Sequence, residues 1–179
     1  FIIENTWLVT GSAGFIGSNL CSRLLGNGQR VIGIDDFSRG DPGSVLRLQD
    51  LSGDRYGFVE SSICDKAAVR RLMSSQIDVV VHLAAQVSVQ ESFSDKRNND
   101  RINIDGFNNV LEAALDRKVP HFIYASSSAV YGNAGKEPVI EDAQVDPISH
   151  YARSKVVNED TCRALENKSD GTVMTGLRL

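Results

Sequence analysis

Three glycines spaced three residues apart restrict the fold of this chain more than any other feature. Residues 6–10, TWLVT, have the composition of a buried strand. Residues 15–25 carry apolar side chains at helical spacing. Between them lie Gly11, Gly14 and Gly17. A glycine loop that joins a strand to a helix is the context of a dinucleotide fingerprint, although the spacing is GxxGxxG, and an ordinary turn stays the alternative for the triplet by itself.

Strand-like and helix-like segments alternate along the rest of the chain. Residues 78–85, DVVVHLAA, form a nearly continuous apolar run, which is typical of a strand buried on both faces. Further strands are predicted over residues 30–35, 56–60, 121–126 and 172–179, and further helices over about 66–74, 103–117 and 151–165. This alternation predicts right-handed βαβ units. The expected fold class is therefore α/β, a Rossmann-type doubly wound parallel sheet with helices on both faces and strand order 3-2-1-4-5-6.

Length, charge and cysteine content exclude several classes of function. A chain of 179 residues suits one domain, and its net charge of -4 argues against a nucleic-acid surface. No apolar run approaches the roughly 20 residues that span a membrane, and the first residues lack the basic start of a signal peptide. Cys21, Cys64 and Cys162 are odd in number and far apart, which predicts reduced thiols in a cytoplasmic protein and neither a disulfide framework nor a zinc site.

An acid at the end of the second predicted strand strengthens the dinucleotide interpretation. Asp35 follows Gly17 by 18 residues, at the place where a carboxylate accepts hydrogen bonds from the adenosine ribose hydroxyls. Its charge repels a 2′-phosphate, so NAD is predicted over NADP. Arg39 keeps NADP open on charge grounds, and Asp36 is expected to be solvated or to cap the loop.

Two later segments, YASSSAVYG and YARSK, carry side chains suited to proton transfer. Tyr151 and Lys155 are four residues apart and therefore lie one turn apart on one helix face, although this spacing also arises by chance. A phenol with a pKa of about 10 is a poor base at neutral pH, but a neighbouring ammonium and a cationic nicotinamide lower that pKa. Residues 126–128 are serines that either terminate the strand or offer a hydroxyl to a substrate oxygen. Serine, tyrosine and lysine together can remove a proton from an alcohol while a hydride leaves its carbon.

Other polar residues are given structural roles. His82 lies in the apolar fourth strand and is expected to be a packed core histidine. His121 and His150 are expected at the surface or at a strand end, and Glu141 and Asp142 in a solvated acidic loop. The spacing shows no nucleophile–His–acid triad and no set of metal ligands, so no metal is expected.

Seven segments occur in the order seen in extended short-chain dehydrogenase/reductases: VTGSAGFIGSNL, GIDDFSRG, HLAAQ, NIDGFNNVLEAA, IYASSSAVYG, YARSK and GLRL. Residues 7–179 resemble the NAD-dependent epimerase/dehydratase family, which acts on nucleotide-sugars. The resemblance implies that residues 1–179 are an NAD-binding Rossmann domain that carries the catalytic residues, with a sugar-nucleotide-binding portion past its end. It also implies a homodimer formed through two long helices.

The resemblance assigns roles at the matching positions. Ser127, Tyr151 and Lys155 are the implied catalytic residues, with Tyr151 as the base and Lys155 on the nicotinamide ribose. Ser88, Ser127 and Ser128 are the implied substrate contacts. The residues implied to bind or support NAD are Gly11, Gly14, Phe15, Ile16, Gly17, Asp35, Asp36, Ser38, Ile63, Leu83, Ala84, Ala85, Asn103, Ser126, Tyr151 and Lys155, among which Asn103 is the structural asparagine of the long helix.

Departures from the family pattern narrow the expected reaction. Ser62 stands where relatives carry an acid for the adenine amino group, which puts that contact in doubt. Sugar dehydratases resemble TDEVYG after the catalytic position, with an acid pair that expels water, whereas this chain has Ser128 and Ala129. Elimination lacks its proton donor and acceptor here, and epimerisation needs neither.

The expected activity is therefore that of a nucleotide-sugar 4-epimerase of the UDP-N-acetylglucosamine or UDP-glucose type, with tightly held NAD that oxidises C4 transiently. A UDP-glucuronate 4-epimerase and a nucleotide-sugar 4-ketoreductase are the enzymatic alternatives. A non-catalytic NAD-binding domain is the alternative from another class.

Overall fold

A computed structural model describes residues 4–74, 76–133 and 138–179. One parallel sheet is built from six strands: β1 (Thr6–Thr10), β2 (Arg30–Asp35), β3 (Tyr56–Glu60), β4 (Val79–His82), β5 (His121–Ser126) and β6 (Val173–Arg178). Their order is β3-β2-β1-β4-β5-β6, and all neighbours are parallel. The predicted fold class and strand order are confirmed.

The α-helices of the described residues are α1 (Phe15–Gly26), α2 (Pro42–Ser52), α3 (Lys66–Leu72), α4 (Val89–Ser94), α5 (Lys96–Asp100), α6 (Phe107–Asp116) and α7 (His150–Leu165). A π-helical segment, Arg101–Gly106, joins α5 to α6, so the predicted helix over 103–117 starts earlier and changes its winding partway. Sequence patterns did not predict α2 or α4.

Helices cover both faces of the sheet because neighbouring strand residues point to opposite sides. In β1, Leu8 packs into the core formed with α3, α6 and α7, and Val9 packs into the core formed with α1 and α2. The rings of Phe107 and Phe122 meet edge to face in the first core, with centroids 5.7 Å apart. Strand β1 thus lies at the point where the connections diverge, which is where open α/β sheets bind ligands.

His82 is a core histidine, as predicted. Its side chain is 2% exposed, and its Nδ1 lies 3.0 Å from the hydroxyl of Thr10 on the neighbouring strand. Burial lowers the pKa of His82 to about 3, with the charge of Lys155 acting in the same direction, so the ring is neutral at physiological pH. His121 is exposed at the start of β5, and His150 begins α7 beside Asp100. The three cysteines are free thiols.

Candidate active site

The glycine loop brings three backbone segments into contact. Gly11 adopts φ +69°, and a Cβ on it would lie 2.8 Å from the backbone nitrogen of Ala84. A Cβ on Gly17 would lie 2.1 Å from the carbonyl oxygen of Gly11. Helix α1 starts after Gly14 without a side-chain cap, which leaves its N-terminal N–H groups open to a ligand. The loop therefore has the close approach and the open helix terminus that bind a pyrophosphate.

The segment after β4 forms the wall opposite the glycine loop. The predicted strand over 78–85 ends at His82, because Leu83 and Ala84 leave the ladder and donate their backbone N–H groups to the Thr10 hydroxyl, each at 3.1 Å. This bend carries residues 83–85 over the carboxyl end of β1. They face the glycine loop there.

A cavity of about 600 Å³ lies between these segments, at the carboxyl ends of the strands. Its lining includes most of the residues predicted to bind the cofactor or act on substrate, namely Gly11, Gly14, Phe15, Ile16, Gly17, Asp35, Asp36, Ser38, Ile63, Leu83, Ala84, Ala85, Ser126, Ser127, Tyr151 and Lys155. The sequence prediction thus gathers one set of residues around one cavity.

Asp35 is fixed at the end of β2. Its Oδ2 accepts the N–H of Ala13 at 3.0 Å, and its Oδ1 accepts the N–H of Phe37 at 2.9 Å. A carboxylate has further lone pairs, so these bonds leave capacity for a ribose diol. Asp36 accepts the N–H of Ser38 at 3.0 Å and caps the loop, one of the two roles expected. Burial acts to raise the pKa of Asp36, but hydrogen bonds from Ser38 and Ser62 hold it below its ordinary value.

Arg39 is paired with an acid across the cavity. Its guanidinium donates to Glu91 at the start of α4, and Glu91 also accepts from Gln86 at 3.1 Å. All three residues line the cavity. The positive charge that kept NADP open in the sequence is therefore offset by a carboxylate.

Tyr151 and Lys155 lie on one face of α7, beside the end of β5. Lys155 is 3% exposed, and its Nζ donates to the carbonyl of Ala125 at 3.0 Å and lies 5.6 Å from the centroid of the Tyr151 ring. Burial lowers the pKa of Lys155 to about 8. Burial raises the pKa of Tyr151, while a hydrogen bond with Ser127 acts in the opposite direction. In the chain by itself, burial outweighs the lowering expected from the ammonium, and the nicotinamide contribution concerns the cofactor-bound protein.

Three predicted site residues lie outside the cavity lining. Asn103 is 1% exposed in the π-helical segment, where its Oδ1 accepts the N–H of Gln86 at 2.8 Å and its Nδ2 donates to the Gln86 carbonyl at 3.0 Å. It fixes the wall after β4 and fits the structural part of its predicted role. Ser88 caps α4 by accepting the N–H of Glu91. Ser128 lines a neighbouring cavity of about 870 Å³ and donates its backbone N–H to Leu179 at 2.7 Å.

Sequence reasoning missed several lining residues, chiefly Gln86, Val87, Glu91, Asn98 and Ile102. A signal for Glu91 was present, because Ser88 and Glu91 form the S-x-x-E pattern that starts a helix. The other four carry no motif. They reach the cavity because α4, α5 and the π-helical segment fold beside β4.

The described residues add two findings on metals and membranes. Over 4–74, 76–133 and 138–179, no three His, Cys, Asp or Glu side chains form a group able to hold a metal ion. None of the helices in that part of the chain is both long and apolar enough to cross a bilayer.

Comparison with known proteins follows from this geometry. The model of the NAD dependent epimerase/dehydratase family matches residues 7–179. The chain is 39% identical over 153 residues to a UDP-glucose 4-epimerase of Mycolicibacterium smegmatis, an alignment that covers 85% of this chain and 48% of that protein. The chain spans about half the length of such relatives.

Solved structures agree with this match. A UDP-glucose-4-epimerase from Stenotrophomonas maltophila, crystallised with bound NAD and formylated UDP-arabinopyranose, superposes with a TM-score of 0.91 at 34% identity over 98% of this chain and 52% of that one. A UDP-N-acetylglucosamine 4-epimerase from Methanobrevibacter ruminantium, in complex with UDP-N-acetylmuramic acid, gives a TM-score of 0.88 at 28% identity over 98% and 54%.

Proposed function

Since the chain belongs to the NAD-dependent epimerase/dehydratase family, we propose that it is the cofactor-binding and catalytic portion of a nucleotide-sugar 4-epimerase. One observation carries the proposal. Tyr151, Lys155 and Ser127 line the same cavity as the glycine loop and Asp35. A group that exchanges hydride and a group that exchanges a proton can therefore act on one carbinol carbon.

The residues of the cavity fit NAD. The open N-terminus of α1 suits the pyrophosphate, and the Asp35 carboxylate suits the adenosine ribose diol. Lys155, buried with its ammonium near Tyr151, suits the nicotinamide ribose. When bound, NAD supplies a hydride acceptor and returns the hydride to the sugar.

Tyr151 is the proposed base. Its hydroxyl takes the proton from the C4 hydroxyl of the sugar and later returns it. Ser127 holds the substrate oxygen and stabilises the phenolate by hydrogen bonding, which acts against the effect of burial on the Tyr151 pKa. Lys155 contributes a positive charge that favours the same phenolate.

The residues after Ser127 favour epimerisation over dehydration. Ser128 and Ala129 carry no ionisable group, and the backbone N–H of Ser128 is bonded to Leu179. Without an acid pair at these positions, the turn offers no donor and acceptor for expulsion of water. The names of the relatives agree with this choice, since they are UDP-sugar 4-epimerases.

A UDP-sugar of the glucose or N-acetylglucosamine type is the proposed substrate. UDP-glucuronate 4-epimerisation remains an alternative, because the residues that choose the sugar are expected in the sugar-nucleotide-binding portion beyond residues 1–179. The 4-ketoreductase and the non-catalytic domain are the alternatives that the same experiment separates.

The experiment incubates the full-length protein with UDP-glucose, UDP-N-acetylglucosamine and UDP-glucuronate, and separates the C4 epimers. We expect both epimers of one sugar, with no net change in the absorbance of reduced nicotinamide. A stoichiometric absorbance change identifies the ketoreductase instead. Tyr151→Phe should abolish turnover and keep NAD binding; a variant that still turns over contradicts the assigned base.

We further propose a homodimer in a reducing, cytoplasmic compartment. Val157 on α7 and Phe93 on α4, a helix that packs against α7, expose 40% and 57% of their surface, which suits a contact between long helices. Three free cysteines suit a reducing compartment. Light scattering of the full-length protein tests the dimer, and a monomeric mass contradicts it.

A further inference from the structure

A buried ion pair joins β6 to the helix that carries Tyr151. Glu159 is 8% exposed and accepts two hydrogen bonds from Arg178, Nε to Oε1 at 2.9 Å and Nη2 to Oε2 at 2.7 Å. Burial acts to raise the pKa of Glu159, but hydrogen bonds from Arg178 and Ser126 hold it below its ordinary value. The pair is therefore ionised at neutral pH and has the bidentate geometry that fixes both partners.

Glu159 continues the helical spacing of the proposed catalytic residues. Tyr151, Lys155 and Glu159 follow one another at intervals of four and lie on one face of α7. Lys155 donates to the carbonyl of Ala125, and Glu159 accepts the hydroxyl of Ser126. Helix α7 is thus bonded to two consecutive residues at the end of β5, immediately before the proposed catalytic serine.

Arg178 holds the same region from the opposite side. Its Nη1 donates to the Tyr131 hydroxyl and to the Glu141 carbonyl, both at 2.8 Å, and its guanidinium lies 4.8 Å from the Tyr131 ring centroid. The next residue, Leu179, accepts the backbone N–H of Ser128. Residues 126–128, which we call the serine turn, are therefore held by α7 on one side and by β6 on the other.

We propose that Glu159 and Arg178 are positioning residues, whose ion pair fixes the serine turn against α7 so that the Ser127 hydroxyl meets the Tyr151 phenol. The proposal rests on the proposed function. Neither Glu159 nor Arg178 belongs to the residues described as lining the cofactor cavity, so both act through the serine turn. If the turn shifts, Tyr151 loses the hydrogen bond that opposes the effect of burial on its pKa, and the base weakens.

The test compares two neighbouring acids of α7 in the full-length protein. Glu159→Gln keeps the size of the side chain and removes its charge. Asp160→Asn is the matched control, because Asp160 is exposed and pairs with Arg163 within the same helix. We expect Glu159→Gln to lower kcat by about tenfold or more, to leave KM and bound NAD within about twofold, and to move the rising limb of the kcat–pH profile to higher pH. Asp160→Asn should leave all of these unchanged.

A purely structural role gives a different pattern. If Glu159→Gln lowers bound NAD and kcat in parallel without moving the pH profile, or leaves kcat unchanged, the proposal is overturned. Removal of one partner of a buried pair can prevent folding, and Arg178→Lys then decides, since it keeps the charge and loses the bidentate fork. Arg178→Lys with the kcat and pH profile of the wild type also overturns the proposal. A wild-type protein that forms no C4 epimer contradicts the proposed function instead.

Discussion

Replacement of Gly17 by alanine tests the glycine loop directly. The added Cβ would lie 2.1 Å from the Gly11 carbonyl oxygen and 2.9 Å from both the Gly11 carbonyl carbon and the Ser12 Cα. Carbon contacts are comfortable at about 3.5 Å or more, so the oxygen is more than 1 Å too close. All three atoms are backbone, and none can rotate away. The loop and the start of α1 must therefore separate.

The cost follows from this separation. Overpacking of a tight contact costs about 1–3 kcal/mol or more, and alanine recovers about 0.5–1 kcal/mol over glycine within a helix. We expect Gly17→Ala to lower the free energy of unfolding by about 2 kcal/mol, which corresponds to roughly 4–8 °C in Tm for a chain of this length. Because the moved loop is the one that approaches the pyrophosphate, the Kd for NAD should rise by roughly tenfold or more.

The matched control lies in the same helix. A Cβ on Gly26 meets no atom within 4 Å, so Gly26→Ala should be neutral or stabilise the protein by up to about 1 kcal/mol. Urea unfolding followed by circular dichroism gives both stabilities, and titration calorimetry gives both NAD affinities. The reasoning is refuted if Gly17→Ala matches the wild type in stability and NAD affinity, or if Gly26→Ala loses as much as Gly17→Ala.

Two further predictions concern charge. His82 has an ordinary pKa of 6.5 and a folded pKa of about 3, so the unfolded chain binds more protons between these values and the stability present above pH 6.5 is lost as the pH falls. Between pH 7.5 and 4.5 the wild type should lose roughly 2.5 kcal/mol more than His82→Gln by urea unfolding; equal losses would exclude His82 as the cause. Because Glu91 neutralises Arg39 on the surface of the cavity, Glu91→Gln should shift the ratio of NADP to NAD affinity toward NADP by up to about fivefold. Arg39→Gln should not, and an unchanged ratio in Glu91→Gln would disprove the pairing.

The strands and the cofactor set were predictable because their signals are local. Each strand is a short apolar run, and Asp35 stands at a fixed place after the glycines. Helix α2 also carried a local signal that went unused, since Asp41 accepts the N–H of Gly43 and Pro42 occupies the first helical position. The helix was missed because aspartate, proline and glycine together resemble a turn.

The remaining differences depend on tertiary contacts. The motif gives the position of Asn103, but only packing shows that its amide bonds Gln86 and lies behind the cavity. The ion pair of Glu159 and Arg178 joins a helix to a strand that follows it in the chain, and no spacing rule links them. The raised pKa of Tyr151 likewise reflects burial, which four-residue spacing to Lys155 does not report.

The central place of β1 has a consequence for synthesis of the chain. Trp7 pairs with Val31 on one side and with Val79 on the other, so the second edge of β1 waits for a strand that begins some 70 residues later. At about 5–20 residues per second on the ribosome, Leu8 and Val9 spend several seconds on an open apolar edge. Such an edge is a template for pairing with another chain. The first strand to emerge is therefore the one most exposed to misassembly, and chaperone dependence should fall on the interval before β4 is made.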